Sequence, residues 1–551
     1  MRAPLGRLIG GRVLAHRVMQ ARSTTAIVVR LALLATPLLT AALHAQRPPA
    51  QRPVAGADVR AAVRKHRESH EAEIAREFAD LLAIPNVASD SVNIRRNAAA
   101  VIELLRRRGV TARTLEGDAG PPAVYGELRT PGATRTIVFY AHYDGQPVVP
   151  SQWTGAPFEP VLRDGSLAAG AKTIPLPAAG QRMSGESRIY ARSASDDKGA
   201  IIAMLGALDG MRSANIAPSV NLKFFFEGEE EAGSTHLRRL LEKHADVLRA
   251  DAWVFCDGPV HQSGRQQVVF GARGVMGLEL TTYGPARALH SGHYGNWAPN
   301  PAALMANLIA SMRDDDGRIL IAGFMDDVRP ITAAERTALG SVPPIDTTLR
   351  KALAMGATEA QNAPLAERIM LPALNVRGIR VGGVRELAAN AIPTEADASI
   401  DFRLVPNQKP ERVRELVEAH LRSRGYYLVH DTPDSATRMA HPKIVRVEWD
   451  GGYAATKASM DIPFSRALLA AASSGAATPP IAMPMLGGSL PTSTFEQVLA
   501  VPLVVLPIAN YDNNQHAANE NLRLQNLWDG MEMFAAVMAR IGHEWRESAV
   551  P

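Results

Sequence analysis

The sequence predicts an α/β fold: a mixed, largely parallel sheet with helices on both faces, interrupted by an inserted α+β module. Three observations predict it. Four short apolar runs have β character: 136–140 (TIVFY), 220–226 (VNLKFFF), 252–256 (AWVFC) and 503–506 (LVVL). Helical periodicity fills the intervals at 200–211, 235–248 and 526–541, and such alternation builds parallel sheets. Between 268 and 452 the pattern changes to alternating strands with two separate helices.

Taken in order, RPPAQRP opens an exposed linker, assigned to 46–57. Residues 58–82 read as a polar amphipathic helix with Asp58 as N-cap, and 91–108 as a second helix. Residues 163–187 are rich in Gly, Ala, Ser and Pro and read as a loop. The inserted module reads as strands over 268–283, a helix at 301–312 and a strand at 373–382. A further strand at 397–405 (DASIDFRLV) and a helix at 410–424 complete it. Its edges are set at 271–452, which leaves 58–270 and 453–551 as the two parts of the α/β domain.

The composition is globular: 551 residues, 46% apolar and 21% charged. That excludes a disordered or fibrous chain. A single cysteine, Cys256, excludes an internal disulfide and a cysteine-rich zinc module. The net charge of +5 resembles a nucleic-acid signal. However, residues 1–45 hold six arginines and no acid, and without them the body stands at −1. No nucleic-acid partner is expected. A basic stretch followed by 13 residues, LALLATPLLTAAL, reads as an export signal over 1–45. The run is too short to span a membrane, for which about 20 residues are needed. The mature chain is expected to be exported, to a periplasm or beyond, with no stable membrane span.

Acidic and histidine residues gather just beyond the predicted strands. His142 and Asp144 follow the first, Glu227 to Glu231 the second, Asp257 the third, and a loop reaching His516 the fourth. Asp196 and Asp197 precede the helix at 200. Taken singly, each has a plainer reading: Asp196 as a helix cap, Glu229 to Glu231 as a helix start, Asp257 as a turn, His516 as a surface histidine. Together they would converge on the crevice outside the carboxyl ends of a parallel sheet. Clustered carboxylates repel and are costly to desolvate, and divalent cations relieve both problems. Two histidines with several carboxylates suit zinc, manganese or cobalt. Two such ions would lower the pKa of a bridging water and polarise a carbonyl, with one further glutamate as general base.

The motifs AHYDGQPV, RSASDDKGA, EGEEEAGS, CDGPV, LHSGHYG, RLVPNQ, GGSLP and HAANEN occur in this order over roughly 60–545. They resemble the aminoacylase/carnosinase family of dinuclear zinc metallopeptidases, which includes carnosinase-like dipeptidases, carboxypeptidase G and succinyl-diaminopimelate desuccinylase. The resemblance implies a zinc-exopeptidase-like catalytic domain with two divalent ions per subunit, zinc first and manganese or cobalt as alternatives. It implies His142 and Asp257 on one ion, Glu231 and His516 on the other, and Asp196 bridging. Glu230 would be the general base, and Asp144 would orient His142. The insertion would be a lid or dimerisation domain of a homodimer. In it, His290 would reach the neighbouring active site and stabilise the oxyanion. Arg403 would bind the substrate carboxylate, and Gly487, Gly488 and Ser489 would offer backbone N–H groups to it. A structural salt bridge is the plainer reading of Arg403, and a loop histidine that of His290. Glu227 and Glu229 match no catalytic position.

Two departures stand out. Ala191-Arg192-Ser193 replaces the family's Gly-Arg-Gly, and Met485-Leu486 replaces Arg-Glu before the Gly-Gly-Ser turn. The second removes two charges near the substrate. The expected activity is hydrolysis of an amide bond next to a free carboxylate, by a dipeptidase or carboxypeptidase. An N-acyl-amino-acid deacylase on the same site is the alternative. A metal-stabilised binding protein without turnover is the non-enzymatic one.

Overall fold

The computed structural model describes residues 54–546. The export segment expected at 1–45 and most of the linker expected at 46–57 lie outside the described residues. Among the described residues no helix is long and apolar enough to cross a membrane.

The larger sheet has eight strands in the order Thr111–Leu115, Ala123–Leu128, Asn221–Glu227, Thr136–His142, Ala252–Phe255, Leu503–Val505, Gln267–Val269, Ile481–Met483. Its centre is parallel: Asn221–Glu227, Thr136–His142, Ala252–Phe255 and Leu503–Val505 run together. These are the four runs read as strands from the sequence. The antiparallel hairpin Thr111–Leu115/Ala123–Leu128 at one edge had no apolar run to announce it.

Strand alternation divides the core into two layers. Ile137, Phe139 and Ala141 face a layer containing the helices Gly56–Leu82, Ser91–Arg107, Lys198–Ser213, Pro463–Ser473 and Leu524–Glu544. Val138 and Tyr140 face the other layer, with the helices Leu237–Lys243 and Thr492–Leu499. There Tyr140, Phe225, Trp253 and Phe255 pack around Phe495 at ring separations of 5.0–5.9 Å. Each fully buried aromatic contributes about 1.5–3 kcal/mol of transfer free energy.

The inserted residues build a second, mostly antiparallel sheet. Its order is Ala373–Arg380, Glu395–Leu404, Gly271–Tyr283, Ile444–Tyr453, Tyr427–Val429. The helices Pro301–Met312 and Pro410–Ser423 cover one face through Met305, Leu308, Val413 and Val417. Gly271–Tyr283 links the two parts. Its first residues pair with Thr456–Lys457 and Leu486–Ser489, and the rest enters the second sheet. At Gly274 a side-chain carbon would stand only 2.6 Å from the backbone nitrogen of Ala455, so the crossing requires glycine.

Three local expectations need correction. The first helix starts at Gly56 with Ala55 as N-cap, and Asp58 sits inside the first turn rather than capping it. The helix expected over 235–248 is two, Leu237–Lys243 and Ala245–Leu248. They break at His244, whose Nε2 lies 3.0 Å from the Glu116 carbonyl oxygen. The loop expected over 163–187 contains the 3₁₀ turn Leu167–Ala169 and a bridge from Arg163 to Thr173. Four short helices between 333 and 368, and the strand Ile444–Tyr453, carried no clear periodic signal.

Candidate metal centre and active site

The central parallel strands end on the same side, and their following residues meet there. His142 is the last residue of Thr136–His142, and Asp257 follows Ala252–Phe255 by two residues. His142 Nε2 lies 2.9 Å from Asp196 Oδ1 and 3.8 Å from Asp257 Oδ2. His516 Nε2 lies 3.1 Å from Asp196 Oδ2 and 3.2 Å from Glu231 Oε2. Asp196 therefore stands between the two imidazoles, one on each carboxylate oxygen. Of the expected ligands, all five come together.

Asp144 braces this arrangement. Its Oδ1 lies 3.4 Å from His142 Nδ1 and accepts from the Glu230 N–H at 3.1 Å, while Oδ2 accepts from the Glu231 N–H at 3.0 Å. One buried carboxylate thus orients the imidazole and anchors the turn that carries two glutamates. Gln146 Nε2 donates to Glu231 Oε2 at 2.8 Å.

The electrostatics are those of crowded carboxylates. Burial and then the Asp196 charge push the Asp257 carboxyl up to about 7. Burial also raises Glu231, with Asp196 adding to it. Burial raises Glu230 well above the carboxylate range, reinforced by Asp257, Glu231 and Asp196 and opposed by His142. Burial likewise works to raise Asp196, yet hydrogen bonds from His142 and His516 hold it below its ordinary value. Those bonds and the one to Glu231 raise His516 to about 11. Oδ1 of Asp257 and Oδ2 of Asp197 are buried without a hydrogen-bond partner among the described residues. A buried anionic oxygen without a partner costs several kcal/mol, and a divalent cation would satisfy it. Imidazole nitrogens and carboxylate oxygens at these spacings fit such ions.

Arg403 donates from Nη1 to Ser489 Oγ at 2.9 Å, which joins it to the Gly487, Gly488 and Ser489 turn. Its Nε donates to Asp401 at 2.9 Å, so the plainer ion-pair reading also holds. Burial and then the Arg403 charge lower the Arg273 guanidinium to about 10, so the two cations lie near each other. The turn shares a cavity with Asp257. His290 is exposed, lies with its ring 4.6 Å from that of His293, and has no hydrogen bond or ion pair to this centre among the described residues.

Three contributors had no assigned role in the sequence. Asp197 offers an oxygen that lies with His142 and Asp257 atoms inside 4.8 Å, as Asp196 and Glu231 do with His142. Its signal was the adjacent acidic pair. Glu520 is fully buried and accepts from Arg192, Ser193, Ser195 and Asp196 at 2.7–3.0 Å. It stands four residues after His516 in HAANEN, and nothing local distinguishes it. Tyr453 ends a strand of the second sheet. It pairs with Val275, and burial and then the Glu230 charge raise its pKa. Glu229, read as a neighbour, holds His236 through Nδ1 at 2.8 Å. Glu227 accepts from Tyr140 at 2.8 Å.

The chain is similar to known metallopeptidases. The chain is 27% identical over 430 residues to the Cys-Gly metallodipeptidase dug1 of Schizosaccharomyces pombe, covering 75% of this chain and 81% of that one. It is 26% identical to the human Beta-Ala-His dipeptidase, covering 86% and 91%. In three dimensions it is similar to the M20 family metallo-carboxypeptidase Sso-CP2 from Sulfolobus solfataricus. That match has a TM-score of 0.69 and 29% identity, and covers 86% of this chain and 99% of that one. Residues 138–540 match Peptidase family M20/M25/M40, which is most of the chain. The chain belongs to peptidase family M20/M25/M40 and is a metal-dependent peptidase.

Proposed function

We propose that this chain is an exported dinuclear metallopeptidase that cleaves dipeptides at the amide bond next to a free carboxylate. The observation that carries the reading is Asp196 between two imidazoles, with Asp257 near one and Glu231 near the other, at 2.9–3.8 Å. His142 and Asp257 would hold one ion, Glu231 and His516 the other, with Asp196 between them; zinc, manganese and cobalt all suit these donors. Such ions, when bound, supply Lewis acidity toward the scissile carbonyl and a lower pKa for water.

The remaining chemistry falls to the chain. Glu230 accepts the proton of the attacking water and returns it to the leaving amine. Asp144 fixes both the imidazole of His142 and the turn bearing Glu230, so base and ligand keep their spacing. Arg403, beside Arg273, binds the substrate carboxylate, and the turn at Gly487, Gly488 and Ser489 borders it. His290 serves the site of a second copy in a homodimer. Export rests on the basic stretch and apolar run at 1–45. The domain edges at 271 and 452 rest on where the second sheet's strands begin and end.

The printed activities of the relatives, Cys-Gly and Beta-Ala-His dipeptidases, support a dipeptide substrate. The test strips the purified protein with a chelator, then adds zinc, manganese or cobalt and offers dipeptides and N-acyl amino acids. Metal-restored cleavage of dipeptides is expected. Cleavage of the acylated set alone would move the reading to a deacylase, and no cleavage with metal bound would move it to a binding protein.

A further inference from the structure

Beside the centre lies a cavity of about 270 Å³, lined by Asp257 and Gln515 at one side and by Gly487, Gly488 and Ser489 at another. Gln515 precedes His516, so the cavity opens between the two ends of the ligand cluster. The remaining wall is apolar: Val260, Ile369, Met483, Met485, Leu486 and Leu490. Its other polar side chains are the neutral Gln262 and Gln267, and Gln267 already donates to the Pro259 carbonyl at 2.9 Å. Among the described residues, Asp257 is the one charged side chain lining it.

Ile369 comes from the inserted residues, just after the short helix Leu365–Arg368. It closes tightly over the turn: a side-chain carbon on Gly487 would lie 3.2 Å from Ile369 Cδ1. Behind Ile369, Met483 and Gln262 is a second cavity of about 140 Å³, bounded by Leu339, Val342 and Pro344. The three shared residues form the partition between the two.

Resting on the dipeptidase reading, we propose that the larger cavity receives the side chain of the residue bearing the free carboxylate, and that it selects an apolar one. Ser489 ties the cavity to Arg403 at 2.9 Å, so a residue whose carboxylate meets Arg403 has its side chain at the cavity's mouth. The volume accommodates any apolar side chain, tryptophan included. A charged side chain would lose its hydration against methionine, leucine and isoleucine without gaining a partner. The inserted residues thereby set substrate choice through Ile369.

The test measures kcat/KM of the metal-loaded protein on Gly-X dipeptides with X = Ala, Leu, Met, Phe, Trp, Asp and Lys. Leu and Met are expected to exceed Asp and Lys by about 100-fold, the discrimination that lost apolar contacts give. Ile369→Ala removes an apolar wall contact and lowers Leu and Met about tenfold relative to Ala. Ile369→Lys raises Asp relative to Leu. Cleavage with no apolar preference at X, or a preference that neither variant moves, overturns the proposal and leaves the dipeptidase reading intact. No cleavage of any dipeptide, varied at either residue, overturns both.

Discussion

Glu520 offers the sharpest test of how the centre is held. Its Oε2 accepts from Arg192 Nη1 at 2.7 Å and the Ser193 N–H at 2.9 Å. Its Oε1 accepts from the Ser195 N–H at 2.9 Å, Ser195 Oγ at 3.0 Å and the Asp196 N–H at 3.0 Å. Burial and then the Asp196 charge push its carboxyl upward, but every neighbour here can donate, so the ionised form is the one that matches the site. Glu520→Gln replaces one oxygen with a donor. The amide will sit where it loses fewest bonds, opposite Arg192 and Ser193. That leaves the Arg192 guanidinium, with a side chain only 3% exposed, without its carboxylate. A buried charge stripped of its partner costs about 3–5 kcal/mol. Urea unfolding should therefore show a loss of that size. Metal titration should show affinity reduced about 10–100-fold, as for other residues that support ligands. Replacing Arg192 with Met in the same chain should recover part of the stability, because the unpaired charge is gone. A Glu520→Gln protein within about 0.5 kcal/mol of wild type, with unchanged metal affinity, would refute the reasoning.

Two further outcomes follow from the same geometry. Glu230→Gln should lower kcat about 10²–10⁴-fold while metal stoichiometry stays at the wild-type value, as read by single-turnover kinetics and metal analysis. Wild-type kcat would remove Glu230 as the base. Glu335, from the inserted helix Ala333–Leu339, accepts from Arg329 at 2.6 Å and the Thr332 N–H at 2.7 Å, and pairs with Lys457. Burial works to raise its pKa, yet these partners lower it from 4.5 to about 2. Burial also lowers Lys457 more than Glu335 raises it, so the stabilising limb is the acidic one. The folded pKa lies below the unfolded one, so this stability is present above about pH 4.5 and is lost as the pH falls toward 2. Glu335→Gln should flatten that part of the unfolding profile; an unchanged acid limb would exclude the pair as its source.

Much of the catalytic layer was legible in residue order. The parallel strands announced themselves because a strand buried on both faces is apolar nearly throughout, and TIVFY and VNLKFFF are so apart from Thr136, Asn221 and Lys223. Their following residues were legible as a site because parallel strands end on one side. His142, Asp196, Glu231, Asp257 and His516 accordingly meet. The hairpin Thr111–Leu115/Ala123–Leu128 and the helices between 333 and 368 were not legible. They lie at an edge or on the surface, where half-exposed residues carry no strong period.

What no local reading could supply is distance across the chain. Glu520 is an acid in a polar loop until folding buries it against Arg192, Ser193 and Ser195, 325–328 positions away. Ile369 is one apolar residue among many until the insertion lays it over Gly487. Tyr453 meets Val275, 178 positions before it, only because the strands Ile444–Tyr453 and Gly271–Tyr283 pair. The backbone's periodicity and the chemistry of each side chain are properties of short segments, so strands, helices and candidate ligands can be recognised along the chain. Burial, charge coupling and cavity walls depend on which distant segments pack together, and they exist only once the core has closed.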